Sequence, residues 1–447
     1  AYSNYLNVLY VNFQKKNIST YTKNTIRDVE NIFLGLFNSV IIIFSDLLYI
    51  LLIILFCKDF LLLSVGFYGI LFLFFIFIII LILFRVSLKL GQIRNKREYL
   101  VYKILNETFS AFKEIKISQS AIQFVTNFSK NIKSYYNSVS YSSLLQYVPK
   151  YILEITVCFF LYLIYSQNSL TVDDFFKRFS VVALILYRVA PLLSRMFSNI
   201  SSSLFLLESF KSVHLDLSFD SKNLKSLVIK KNIKIKKIFL KNINHKFEKN
   251  NKFFEIYKNF NFTFEIGKIY GIYGLSGSGK TTLLSFICGL LKPDKGSIYI
   301  NNNKISFYEL PKKYNFSLLS QNPYIMDDSI VTNVTLRFNN TFEDLERIKL
   351  YLKEFNLEKF NNNTYLSNRD LSFIKKISDG ERQRIGFIRS IFSNPDILLL
   401  DEPTSSLDSK NEKIIFNYLN KIKKNKIIIV TSHKYNQKKY FDKIIQL

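Results

Sequence analysis

From Phe60 to Phe84 the chain runs 25 residues without a charged side chain. As an α-helix that stretch is about 37 Å long, against a bilayer hydrocarbon core of about 30 Å, so it predicts a transmembrane helix with room to tilt. Just upstream, Ile32 to Cys57 is interrupted only by Asn38, Ser39, Ser45 and Asp46, and Lys58-Asp59 separates the two runs. The pattern predicts a hairpin across the bilayer, turning at Lys58-Asp59. Two less uniform spans follow: Val148 to Ser166, containing Glu154, and about Phe175 to Phe197, containing Lys177, Arg178, Arg188 and Arg195.

Arg85, Lys89, Arg94, Lys96 and Arg97 crowd the exit of the second span, whereas the Ser166–Asp174 connection is neutral to acidic. The basic side is expected in the cytoplasm, which puts residues 1–31, residues 85–147 and everything after about residue 198 inside. The roughly 60 polar residues between the second and third spans keep a helical period, so they predict long helices continuing into the cytoplasm.

The net charge of +27 invites a nucleic-acid partner. Residues 1–220, however, carry 21 Lys+Arg against 13 Asp+Glu, and residues 221–447 carry 40 against 21, so the first half is greasy and the second basic. A solvated surface near anionic lipid, in a lysine- and asparagine-rich composition, accounts for that excess without nucleic acid. Cys57, Cys158 and Cys288 lie far apart and form no CxxC pair, and the only histidines are His214, His245 and His433. Neither disulfides nor a multi-histidine metal site is expected. The chain opens at Ala1 with neither methionine nor a cleavable leader, and an incomplete N-terminus is expected.

Beyond a Lys/Asn-rich stretch near residues 221–252 the pattern changes to short apolar runs between turns and helices, the mark of an α/β domain. Ile269-Tyr-Gly-Ile-Tyr reads as a strand, Gly274-xxxx-Gly279-Lys280-Thr281 as a P-loop, and the apolar run after it as a helix. Glycines let the backbone turn N–H groups onto phosphates, and the helix N-terminus adds its dipole. Lys280 is placed for the β/γ-phosphates and Thr281 for magnesium. A P-loop alone leaves kinases, GTPases and many ATPases open. Asp396-Ile-Leu-Leu-Leu-Asp401-Glu402-Pro403 reads as a buried strand ending in two acids, one for magnesium and one able to polarise an attacking water. Between these segments, Ile377-Ser-Asp-Gly-Glu-Arg-Gln-Arg-Ile-Gly starts a helix.

Together these motifs resemble the ATP-binding cassette (ABC) family, and the resemblance extends over the whole chain. It implies an α-helical transmembrane domain at residues 1–215, a linker at 216–236 and an α/β P-loop cassette at 237–447. It implies that ATP is held by Phe247, stacked on adenine, and by Gly274, Ser276, Gly277, Ser278, Gly279, Lys280, Thr281 and Thr282 at the phosphates. Mg2+ falls to Thr281, Gln321 and Asp401, and catalysis to Glu402, Gln321 and His433, the last directly after the strand Ile427–Thr431. Ser378 and Gly380 of the signature loop match residues that face the nucleotide of a second subunit, and Asp408 closes the turn after the acids. The membrane half looks like the exporter type, in which six spans precede one cassette. Four are visible here, and Ser19 to Glu30 resembles the segment leading into the third span.

One departure stands in the signature, usually Leu-Ser-Gly-Gly-Gln and here Ile377-Ser378-Asp379-Gly380-Glu381. Asp379 in a first helical turn is a good helix starter, worth roughly 0.3–1 kcal/mol against the macrodipole. Aimed at a phosphate about 6 Å away, it would instead repel by roughly 3 kcal/mol at an effective dielectric of 20. The acid-glycine stretch usual ahead of the signature is not evident in Asn368-Arg-Asp-Leu-Ser-Phe.

The resemblance implies a dimer of half-transporters, identical or not, in the bacterial cytoplasmic membrane with its cassettes inside, in contact with membrane lipids and moving a lipid-linked or amphipathic substrate. Phe112-Lys-Glu-Ile-Lys-Ile-Ser and Tyr147-Val-Pro-Lys-Tyr-Ile-Leu-Glu154 look like flippases of lipid-linked oligosaccharides. Multidrug, lipid A and peptide exporters share that chassis, and a non-hydrolysing ABC scaffold would keep the fold without turnover. Charged residues inside spans point to function. Arg188 and Arg195 are seven apart, on one helix face, placed either to attract an anionic head group or, at Arg195, to snorkel; Asp46 and Glu154 are their candidate partners.

Overall fold

The computed structural model describes residues 2–14, 16–64, 66–165, 172–218, 235–249, 252–366 and 377–447. The chain divides into two compact units, Ala1–Val8 with Asn12–Lys225, and Leu9–Val11 with Ser226–Leu447.

The first unit is helical. A stretch from Ile18, π-wound over Asn24–Asp28 and Asn31–Phe37, leads into α1 (Asn38–Ser64). Then come α2 (Gly66–Ser110), a short helix Phe112–Ile117, α3 (Ala121–Tyr165) and α4 (Val172–Ser218). At 45 residues each, α2 and α3 are about 68 Å long. That is more than twice the hydrocarbon core, as the helical period between the second and third spans requires. The expected turn at Lys58-Asp59 is corrected: both residues lie inside α1, which runs on to Ser64. A Lys-Asp pair without Gly or Pro has nothing to stop helix propagation, and residue 65 lies outside the described residues. The third and fourth spans fall on α3 and α4, while the residues joining them, 166–171, and the side chains of Lys177 and Arg178 lie outside the described residues. Among the described residues, Ile18–Ile53 is long and apolar enough to cross a membrane, and only 11% of its most apolar window is buried. A core helix of a soluble protein would be covered by its own chain; this one leaves Phe44, Leu48, Leu51 and Leu52 bare.

Small residues bring α2 and α4 together. A Cβ on Gly91 would fall 2.5 Å from the Phe205 carbonyl oxygen, and the Ser87 and Ser201 hydroxyls bond at 2.6 Å. Asp46, 1% exposed, receives Arg195 of α4 through Nε at 2.9 Å and through a second, shorter bond from Nη2. Arg195 is therefore bound to its own chain and is not a free attractor of an anionic head group. Glu154 lies 4.0 Å from Lys150, one turn earlier on its own helix, and does not pair with either arginine.

The second unit has two sheets. β1 (Lys237–Lys249), β2 (Lys252–Glu265), β4 (Lys295–Ile300) and β5 (Asn303–Ile305) form an antiparallel sheet in the order β2-β1-β4-β5. β3 (Ile269–Tyr273), β6 (Phe316–Leu319), β7 (Ile397–Asp401), β8 (Ile427–Ser432) and β9 (Lys443–Gln446) form a parallel sheet, β6-β7-β8-β3-β9. Continuous apolar runs such as Ile397-Leu-Leu-Leu suit a parallel strand covered on both faces. Alternation then sorts them. Ile397, Leu399, Ile427 and Ile429 join the core built with the antiparallel sheet and helix α5 (Lys280–Ile287). Leu398, Leu400, Ile428 and Val430 join the opposite core, with Phe387 of α7 (Asp379–Phe392), Phe416 of α8 (Ser409–Ile422) and Ile348 and Leu352 of α6 (Phe342–Glu354). Each fully buried Leu or Ile contributes roughly 1.5–3 kcal/mol, which locks strand register.

Candidate functional site

Asp401, Glu402, Gln321 and His433 sit at or just beyond the ends of parallel strands. β3 runs into the P-loop, β6 towards Gln321, β7 into Asp401-Glu402 and β8 into Ser432-His433. Register aligns them, pairing Asp401 with Thr431, Leu319 with Leu400 and Tyr273 with Ser432. Ligands of open α/β sheets bind beyond these carboxyl ends.

The P-loop is shaped by its glycines. Gly277 and Gly279 take φ of +84° and +98°, in the left-handed region that penalises L side chains. A Cβ on Gly279 would also meet Ile256 Cγ2 at 2.5 Å, while one on Gly277 would meet nothing within 4 Å. Gly279→Ala is thus expected to weaken nucleotide binding about tenfold or more, through left-handed strain of about 1–2 kcal/mol plus the clash, and Gly277→Ala by the strain alone. Equilibrium binding of a fluorescent ATP analogue measures both. The Gly279 carbonyl accepts the Tyr257 hydroxyl at 2.9 Å, and burial pushes that phenol well above its ordinary titration range. Lys280, buried, donates to the Gly274 and Leu275 carbonyls at 2.8 and 3.1 Å. Ser276 and Ser278 lie within that loop, and Thr282 in the first turn of α5.

Two hydroxyls grip Asp401. Thr281 donates to Oδ2 at 2.7 Å and Thr431 to Oδ1 at 2.6 Å, and Thr431 Oγ1 also accepts the Glu402 N–H at 2.9 Å. Glu402 has a φ of +49° and its side chain is 14% exposed. Gln321 Nε2 donates to its Oε2 at 3.0 Å, and His433 Nδ1 stands 3.2 Å from its Oε1. Thr281, Asp401, Glu402, Gln321 and His433 are therefore brought together. A carboxylate fixed between an amide donor and an imidazole can accept a proton from a water delivered to it. The Thr281 and Asp401 oxygens are hard donors of the kind Mg2+ takes alongside phosphate oxygens and water. Among the described residues no group of three or more His, Cys, Asp or Glu could hold a metal by itself.

Ser378, Gly380 and Asp408 stand apart from that group. Ser378 caps α7, accepting the Glu381 N–H at 3.3 Å, while Glu381 Oε2 accepts the Ser378 N–H at 3.0 Å. Burial disfavours the ionised Glu381, but Lys359, at 2.6 Å, and the Ser378 bonds hold its carboxyl below the ordinary value. Asp379 occupies the first turn, as a helix starter does. A Cβ on Gly380 would come within 3.0 Å of the Ser406 carbonyl oxygen. Asp408 caps α8 and accepts from Asn411 at 2.6 Å, which holds its carboxyl low. Phe247 is 54% exposed on β1, opposite Phe254. The stretch Asn368–Phe373 lies outside the described residues.

Sequence reasoning missed Thr431 and Gln383. Gln383, buried, donates to the Glu402 carbonyl at 2.7 Å and to Ser405 Oγ at 2.9 Å, and accepts the Ser406 N–H at 2.9 Å. The signal was available: a glutamine on the apolar face of a helix needs buried partners.

Residues 257–405 match the model of the ABC transporter family. A solved bacterial Atm1-family ABC exporter with ATP bound superposes over 99% of this chain and 78% of that one, with a TM-score of 0.79 at 19% identity. Residues 257–405 are an ABC transporter ATP-binding domain, and the chain as a whole shares the fold of that exporter. The chain is 30% identical to a probable ABC transporter ATP-binding/permease protein of Haemophilus influenzae, over 62% of this chain and 50% of that protein. An ATP-dependent lipid A-core flippase of Aliivibrio fischeri is 31% identical over 42% of this chain and 33% of its own length. A nisin transport ATP-binding protein of Lactococcus lactis is 27% identical over 78% of this chain and 59% of its own. The chain thus spans about half or less of the length of the first two relatives.

Proposed function

We propose that this chain is one subunit of an ATP-hydrolysing exporter. Residues 1–215 cross the bacterial cytoplasmic membrane several times, 216–236 link, and 237–447 form a cytoplasmic cassette that acts with a second subunit, most simply another copy. The observation that carries the reading is the Glu402 carboxylate, held between Gln321 and His433 beside the Asp401–Thr281 pair. In that arrangement the P-loop N–H groups and Lys280 hold the phosphates, and Phe247 stacks on the base. Glu402 accepts the proton of the attacking water, while Gln321 and His433 keep its carboxylate aimed. Magnesium, when bound, supplies charge neutralisation at the phosphates, and Thr281, Asp401 and Gln321 are its protein ligands. Ser378 and Gly380, away from this chain's own P-loop group, serve the nucleotide of the partner subunit.

The cargo we assign is a lipid-linked or amphipathic molecule, with a lipid-linked oligosaccharide as the leading class. The bare apolar flank of Ile18–Ile53 and the relative that flips lipid A-core support a lipid-borne substrate. The nisin transport relative, matching over 78% of the chain, favours a peptide as the second reading. Proteoliposomes of the chain are assayed for Mg2+-dependent ATP hydrolysis in the presence of a lipid-linked oligosaccharide, lipid A or an amphipathic peptide. Stimulation by the first alone is the expected result. Stimulation by the peptide alone replaces it with the second reading, and hydrolysis that none of them changes overturns the cargo class.

A further inference from the structure

The helical unit buries a polar centre of its own where the π-wound stretch Asn24–Asp28 passes α2 and α4. Lys23, Asp28, Arg94 and Glu98 are each at most 5% exposed. Lys23 Nζ donates to Asp28 Oδ2 at 3.0 Å and also bonds Asn95, and Ser212 of α4 donates to the same Oδ2 at 2.8 Å. Arg94 donates to Ser209 at 2.5 Å, with its guanidinium over the Phe205 ring. On the open side Arg27 Nε stands 3.6 Å from Glu98 Oε1 while pairing with Glu30, and Tyr135 of α3 faces the same carboxyl. A neighbouring carboxylate, Asp216, is fully engaged by Tyr5 at 2.7 Å, Asn24 at 2.8 Å and Lys16.

Three atoms break the pattern. Asp28 Oδ1, Glu98 Oε2 and Arg94 Nε are buried without a hydrogen-bond partner. Buried groups of this kind are normally satisfied, and each orphan is costly. An ionised carboxylate only accepts, so two of them cannot satisfy each other; one proton turns an acceptor into a donor. A metal ion suits the place poorly, because Lys23 and Arg94 already supply two positive charges against two carboxyls.

We propose that Asp28 and Glu98 form a carboxyl pair that takes up one proton from solvent, and that this proton fastens the Asn24–Asp28 stretch to α2 and α4. Burial holds the Glu98 carboxyl above its ordinary value; Arg94 and Lys23 oppose that, and the negative field of Asp28 adds to it. Below the ordinary carboxylate range the folded and unfolded chains both carry the proton. As pH rises from there, the unfolded chain releases it first, so the fastening weakens until the folded pair has lost it too. π-wound segments, rare and concentrated at functional sites, are suited to such a release.

The test uses the purified full chain in lipid nanodiscs, without nucleotide or cargo, and so stands apart from the transport reading. Amide hydrogen exchange of residues 18–37, corrected for intrinsic rate, is followed from pH 5 to 9. Wild-type protection should fall several-fold over that range as the folded chain gives up the proton. Glu98→Gln, permanently neutral and able to donate through its amide, should stay flat. In parallel, infrared spectra of the wild type should show a protonated-carboxyl C=O band that titrates over the same range and is missing in Glu98→Gln. Identical pH courses in both proteins, or no titrating band in the wild type, overturn the proposal. The band needs no variant, so it decides the question even where Glu98→Gln fails to fold.

Discussion

Glu402→Gln should lower the steady-state rate of ATP hydrolysis by roughly 10²–10⁴-fold, the usual contribution of a positioned general base, while ATP still binds. The substitution is nearly isosteric and leaves the P-loop, Lys280 and the Asp401 hydroxyl clamp in place, so only the proton acceptor between Gln321 and His433 is lost. Phosphate release from the chain in liposomes, beside filter binding of labelled ATP, separates the two effects. Equal turnover in both proteins would mean that this carboxylate is not the base. Absence of turnover in both, with binding intact, is the behaviour of a non-hydrolysing scaffold or of a chain that needs a different partner.

The second large effect belongs to the helical unit. Arg195→Ala should destabilise the helical unit by about 3–5 kcal/mol, because it strands the buried Asp46 carboxylate. The Arg195 side chain is 56% exposed. Should α1 and α4 cross the bilayer as proposed, that exposed face meets hydrocarbon and gains little relief from water. The double variant Asp46→Asn/Arg195→Gln, which removes both charges, should recover most of the loss. Thermal unfolding midpoints in nanodiscs for the single and double variants provide the check. A single variant as stable as the wild type would show that water reaches the pair.

The sequence made the cassette legible because its chemistry is local. Gly274 to Thr281 shape a loop, Asp401 and Glu402 end a strand, and His433 ends another, so parallel register brings them together without further information. The long helices were legible for the same reason, since helical period and charge gaps act over short distances. The hairpin turn was misplaced because Lys58-Asp59 is polar but not helix-breaking. Partners that depend on tertiary packing were only partly legible. Asp46 stood beside Glu154 as a candidate partner for the span arginines, and packing across 149 residues selects it for Arg195, whereas Thr431 looks like any strand threonine until its hydroxyl is seen between Asp401 and Glu402. The Asp28–Glu98 centre was invisible because its members sit on separate elements, each looking like an ordinary surface charge.

Gln383 belongs to the helix that begins at Ser378, yet its amide is bonded to the turn that carries Glu402. Arg384, beside it, ties the same helix to the Phe355 and Asn356 carbonyls. The start of that helix and the Glu402 carboxylate are thus two ends of one braced element. In a dimer, where Ser378 would rest on the neighbour's nucleotide, anything that shifts one end must be felt at the other. Two sites wired in this way would fire in series, each reporting its occupancy to the other.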